Sequence, residues 1–208
     1  MFNELLERYP VLYSCKDEIK KAAETIIDCY EKGGKVLLCG NGGSCADCDH
    51  IVGELMKGFL KLRPICEADK AAMKEKSPLL EDDILGKLQC GLPAISLPSI
   101  AALNSAFCND VDPELIYAQS LFALAKRGDV LIGLSTSGNA KNVFAALKVA
   151  KALGVTVIGM TGCKGGKLRE NADICICAPE SETFKIQELH LPIYHYLCAE
   201  VEAHFFDK

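Results

Sequence analysis

The chain has 208 residues, half of them hydrophobic and a quarter charged, with 23 basic against 28 acidic side chains and a net charge of -5. That length gives one full hydrophobic core, and the charge excludes a broad basic face for nucleic acid. High apolar content excludes disorder, and no apolar run approaches the roughly 20 residues a bilayer demands.

The opening MFNELLERYPVL carries acidic residues and lacks the basic-then-apolar order of a signal peptide, so a cytoplasmic protein without a membrane partner is expected. Residues 3–31 repeat apolar side chains at three- and four-residue steps, with Pro10 marking a kink or a break between two helices. Gly33 and Gly34 stop the helix, and 35–39 reads as a buried strand. The turn Gly40-Asn-Gly-Gly-Ser44 leads into a helix expected over 44–60. Residues 62–90 are charged and irregular, as a solvated helical insertion would be.

The second half alternates more regularly. Strands are expected at 92–97, 129–134, 155–160 and 173–177. Helices are expected at 99–108, 113–127 behind an Asp-Pro cap, from the 135–139 loop to Leu153, and at 183–206. Apolar strands separated by amphipathic helices specify a three-layer α/β fold, a parallel sheet covered on both faces. The twelve cysteines sit mostly inside apolar runs and read as packing residues without disulfides, Cys45 and Cys48 included.

Two stretches echo one another: GGKVLLCGNGGS at 33–44 and RGDVLIGLSTSGN at 127–139. Each runs glycine, buried strand, then a small polar loop entering a helix, where backbone amides and hydroxyls hold anions. For the first loop a bare strand-to-helix turn explains the residues equally well. The three hydroxyls of Ser135, Thr136 and Ser137 exceed what a turn requires and point to a phosphate. Neither loop ends as a Walker A sequence or matches a dinucleotide fingerprint, so a phosphorylated small molecule fits better than a nucleotide. His50 and Glu54, four apart beside the first loop, share a helix face and can hold a metal or serve as acid and base. Gln187 and His195 lie two helical turns apart and share another face.

Those two loops, with Thr161-Gly-x-x-Gly-Gly166 behind them, resemble the sugar isomerase (SIS) domain and in particular the bacterial phosphoheptose isomerases. The resemblance spans most of the chain and implies one SIS domain over 1–208, with a flavodoxin-like five-stranded sheet and a homotetramer with active sites at subunit interfaces. It implies Glu54 and His195 as the catalytic pair and zinc held by His50, Glu54, Gln187 and His195. It further implies a phosphosugar held by Asn41, Gly42, Gly43, Glu54, Asn109, Asp110, Ser135, Thr136, Ser137 and Gln187. The expected reaction is aldose–ketose isomerisation of sedoheptulose 7-phosphate through an enediol. Two rivals stand beside it: a non-catalytic scaffold binding a replication initiator, and a sugar-phosphate sensor. The chain departs from the family at Ala140, where Ser is common, at Pro192 inside the closing helix, and in its long 62–90 connection. His190 and His204 receive no catalytic role.

Overall fold

The computed structural model describes residues 1–207 of the chain. Its centre is a five-stranded, wholly parallel sheet in the order β2-β1-β3-β4-β5. The strands are β1 (Val36–Gly40), β2 (Ala94–Ser96), β3 (Val130–Leu134), β4 (Thr156–Thr161) and β5 (Ile174–Cys177). β1 and β3 are apolar and buried at every position, as central strands covered on both faces must be.

Successive side chains on a strand point to opposite faces, so each strand feeds two cores. Val36, Leu38, Ile132 and Ile158 pack on one side beneath α1 (Phe2–Arg8), α2 (Lys16–Glu31), α3 (Gly43–Met56) and α10 (Thr183–Phe206). Leu37, Leu131 and Val157 pack on the other beneath α7 (Ile116–Leu124), α8 (Lys141–Leu153) and α9 (Gly166–Asn171). The expected three-layer α/β fold is therefore the one observed.

The break expected at Pro10 is observed: α1 and α2 are separate helices joined by a 3-10 helix, Pro10–Cys15. Three local readings change. The helix expected to reach residue 60 ends at Met56, because its last carbonyls are taken by partners outside it: Arg63 donates to Glu54 O and Leu55 O, and Leu92 N also donates to Leu55 O. The helix expected over 113–127 is a 3-10 turn, Pro113–Leu115, followed by α7, and Asp112 caps the turn through Glu114 N. Pro192 does not interrupt α10, which runs through it unbroken.

Residues 62–90 form two short helices, α4 (Glu67–Lys76) and α5 (Asp82–Lys87), each with acidic residues in the first turn and lysine in the last. Of these two helices only Leu85 is buried. α6 (Ala101–Asp110) follows β2. Among the described residues no helix is long and apolar enough to cross a membrane.

Candidate active site

In an open parallel sheet, ligands bind where the strand order reverses, beyond the carboxyl ends of the strands. Here that point lies between β1 and β3, and the loops leaving them are Gly40–Ser44 and Ser135–Asn139. The loops are tied together: Asn41 and Asn142 exchange two side-chain hydrogen bonds of 2.9 Å each. Tyr117 donates to Gly40 O at 2.7 Å and lies 3.1 Å from Asn41 Oδ1.

A third loop, 162–166, closes the crevice from the β4 side. Gly162 N donates to Thr136 O, and Leu168 N donates to Gly138 O. Gly138 has φ +67, and a Cβ there would run into the Gly165 carbonyl, so only glycine permits this loop-on-loop contact. Ser135 is buried and its Oγ accepts from Ala140 N at 3.4 Å. Ser137 is exposed, and its Oγ accepts from Asn139 N, leaving the hydroxyl proton available to a ligand. α8 starts directly after this loop, and a helix N-terminus favours an anion.

Along α3, His50 lies seven residues past Gly43, about 10 Å further from the loop. His50 and Glu54 share a face as expected, with Nε2 3.2 Å from Oε1. Lys57 Nζ holds the other carboxylate oxygen of Glu54 at 3.3 Å. From α10, His195 brings its Nε2 to 3.5 Å from His50 Nε2. Phe59 and Tyr194 pack around the His195 ring, at centroid distances of 5.5 and 5.1 Å. Burial, and then the neighbouring His50, lower the His195 pKa against the opposing pull of Glu54.

The tautomer of His50 follows from its other nitrogen. Tyr194 donates its single proton to Asp47 Oδ1 at 3.2 Å, so its oxygen accepts from His50 Nδ1–H at 3.0 Å. That leaves the His50 Nε2 lone pair facing a carboxylate oxygen and a second imidazole nitrogen. Such a convergence requires a proton or a cation between its members.

The donor types suit zinc. With bonds of about 2.0–2.1 Å, a tetrahedral zinc site has edges of roughly 3.3–3.4 Å, close to the two separations observed. Among the described residues no three His, Cys, Asp or Glu side chains are placed to hold a metal ion as they stand, so the site would have to close around one. Gln187 does not reach the histidines: its amide lies against Gly43, over the first turn of α3.

Asn109 and Asp110 sit at the exposed end of α6 and hydrogen-bond each other at 2.8 Å, and among the described residues no hydrogen bond joins either side chain to the crevice loops. His190 is fully buried, with Nε2–H donating to Thr161 O at 3.2 Å at the base of the third loop. His204 is exposed and pairs with Glu31.

The sequence reading missed Tyr117, Asn142, Asp47 and Tyr194, which tie the loops together or orient His50. It also missed a buried charge pair. Arg63 donates to Glu202 Oε1 at 2.8 Å, and Glu202 accepts from the amides of Phe59 and Leu60. These bonds fasten the end of α3, which carries Glu54, to α10, which carries His195. A cavity of about 500 Å³ opens beside His195, bordered by Leu5, Tyr9, Phe59, Leu60 and Leu191.

Two family models, both described as the SIS domain, match this chain, one over residues 10–90 and the other over 102–197. The phosphoheptose isomerase of Burkholderia pseudomallei (strain 1710b) is 39% identical over 91% of this chain and 83% of its own. That of Roseiflexus sp. (strain RS-1) is 36% identical over 89% of this chain and 81% of its own. Among solved structures, a phosphoheptose isomerase from Francisella tularensis superposes with a TM-score of 0.76 at 29% identity, covering 96% of this chain and 93% of that one. The phosphoheptose isomerase of Neisseria gonorrhoeae gives 0.74 at 29% identity, over 96% and 94%.

Proposed function

The chain belongs to the phosphoheptose isomerase family of SIS-domain proteins, which are aldose–ketose isomerases of phosphosugars, and on that premise we propose that it converts sedoheptulose 7-phosphate to D-glycero-D-manno-heptose 7-phosphate. One observation carries the reading. The loop crevice at the β1/β3 switch point and the His50–Glu54–His195 cluster lie along the same helix, α3, about 10 Å apart. A phosphate in the crevice would leave the far end of an extended sugar within reach of the cluster.

In this reading the Ser135–Ser137 hydroxyls and the α8 amides hold the phosphate, with Asn41 to Gly43 forming the opposite wall. Glu54 removes the proton from the carbon next to the carbonyl, giving an enediol, and returns it at the neighbouring carbon. His195, kept neutral by burial, accepts and returns the proton of the sugar oxygens. His50, anchored through Tyr194 and Asp47, keeps its Nε2 lone pair turned toward Glu54, where a shared proton or a cation would bind between them. Zinc held by His50, Glu54 and His195 would polarise the carbonyl when bound, while Gln187, against Gly43 at the start of α3, faces the crevice instead. Asn109 and Asp110 would reach the sugar only as contributors to a neighbouring subunit's site or after a change in α6. The exposed Val11, Tyr13, Leu60 and Leu62, of which Leu60 borders the cavity beside His195, leave apolar surface for the contacts of a homotetramer.

The scaffold reading lacks a reason for this cluster, since binding a protein partner does not require an oriented imidazole beside a carboxylate. The test is incubation with a panel of ketose phosphates, followed by detection of aldose phosphates. Turnover of the seven-carbon substrate is expected; binding without turnover would point to a sensor, and neither to a scaffold.

A further inference from the structure

We propose that Cys177 and Cys175 form a dithiol that a hydroperoxide oxidises to a reversible disulfide, at a site separate from the isomerase cluster. Both lie on β5, an edge strand paired only with β4. Two positions apart, they project to the same side, and their sulfurs are 3.8 Å apart. Both are partly exposed and line an opening of about 280 Å³ that also holds Cys15, Cys163, Arg169 and Glu18. A small oxidant therefore has access, and a guanidinium stands at the site.

The two sulfurs are unequal. The Thr161 hydroxyl lies 3.4 Å from Cys177 Sγ and divides its proton between that sulfur and Gly162 O, and donation to the sulfur favours a thiolate. Donation from Cys175 is the main influence lowering the Cys177 pKa; burial and Glu18 oppose it, while Thr161 and Arg169 assist. Cys175 is pushed the opposite way and keeps its proton. By contrast, burial raises Cys29 to about 11 and Cys15 and Cys39 to about 12, so those thiols are poor nucleophiles.

In the first step the Cys177 thiolate attacks a peroxide oxygen. The O–O bond breaks, Cys177–S–OH forms, and the leaving hydroxide takes a proton to become water. Cys175 sulfur then attacks the Cys177 sulfur, its proton leaves with the departing hydroxyl as a second water, and the S–S bond closes. Two thiols are oxidised and one hydrogen peroxide is reduced to two waters. Positions two apart on a strand are separated by about 6.6 Å between Cα atoms, near the upper limit that a disulfide spans. Closing the bond therefore tightens β5, and the disulfide should be easily reduced. Thr161, which touches both sulfurs, precedes the third crevice loop.

The test uses the whole reduced protein, hydrogen peroxide and N-ethylmaleimide. Trypsin releases residues 170–185, which contain these two cysteines and no others. The expected product is that peptide two hydrogens lighter and free of maleimide, restored by dithiothreitol. In Cys175→Ser, Cys177 should be trapped by dimedone as the sulfenic acid. In Cys177→Ser, peroxide oxidation of this peptide should slow about tenfold or more. The proposal is overturned if Cys66, Cys108 or Cys163 oxidises first while this peptide stays fully alkylated. A Cys163–Cys177 link, or an unchanged rate in Cys177→Ser, would also overturn it.

Discussion

His50 and His195, 145 positions apart in the chain, bring their Nε2 atoms to 3.5 Å. With Nδ1 of His50 engaged by Tyr194, this approach brings the His50 lone pair, the His195 imidazole and the Glu54 carboxylate to one point. Metal analysis checks what lies there. After dialysis against buffer without chelator, about one zinc per chain is expected, and His50→Ala should lose it while keeping the fold by circular dichroism. Full zinc content in His50→Ala would move the metal elsewhere.

The crevice hydroxyls should act on binding more than on chemistry. A hydrogen bond to a charged group contributes about 1.5–3 kcal/mol. Replacing Ser135 and Ser137 together by Ala should therefore raise KM about tenfold or more and leave kcat within about twofold. Inorganic phosphate should lose its competitive inhibition in parallel. An unchanged KM would place the phosphate outside this loop.

His190 links pH to stability. Burial lowers its pKa from 6.5 to about 4, outweighing its bond to Thr161. Between those values the unfolded chain binds a proton that the folded chain does not. Stability from this group is therefore complete above pH 6.5 and falls by about 3 kcal/mol as pH drops to 4. Urea titrations across that range should show the fall, and His190→Gln should flatten it. Equal slopes in the two proteins would mean that His190 titrates normally.

Arg63 and Glu202 are both fully buried. Arg63→Met leaves the Glu202 carboxylate without its counter-charge, and breaking such a pair costs about 3–5 kcal/mol. Adding Glu202→Gln should recover part of that loss, because the uncompensated charge is gone. A single-variant cost below about 1 kcal/mol by urea unfolding would show that the pair is dispensable.

Periodicity made most of the fold legible. The buried runs VLLCG and VLIGL and the glycine turns after them place β1, β3 and their loops, and with them the crevice. The end of α3 was not legible, because Phe59 and Leu60 continue the apolar pattern past Met56. What stops the helix is Arg63, which caps it from outside while bonded to Glu202, 139 positions away. A lone arginine in sequence reads as exposed. The His50–Glu54 contact was readable from i, i+4 spacing, whereas the roles of Tyr194 and Asp47 depend on helix packing that spacing alone does not reveal.

Glu54→Gln tests the account most directly. The change keeps size and polarity while removing the base, and general acid–base participation typically contributes 10²–10⁴-fold. With sedoheptulose 7-phosphate in deuterated water, kcat and deuterium incorporation next to the carbonyl should fall together by about that factor, with KM little changed. Wild-type turnover and exchange in Glu54→Gln would contradict the assignment of Glu54 as the base.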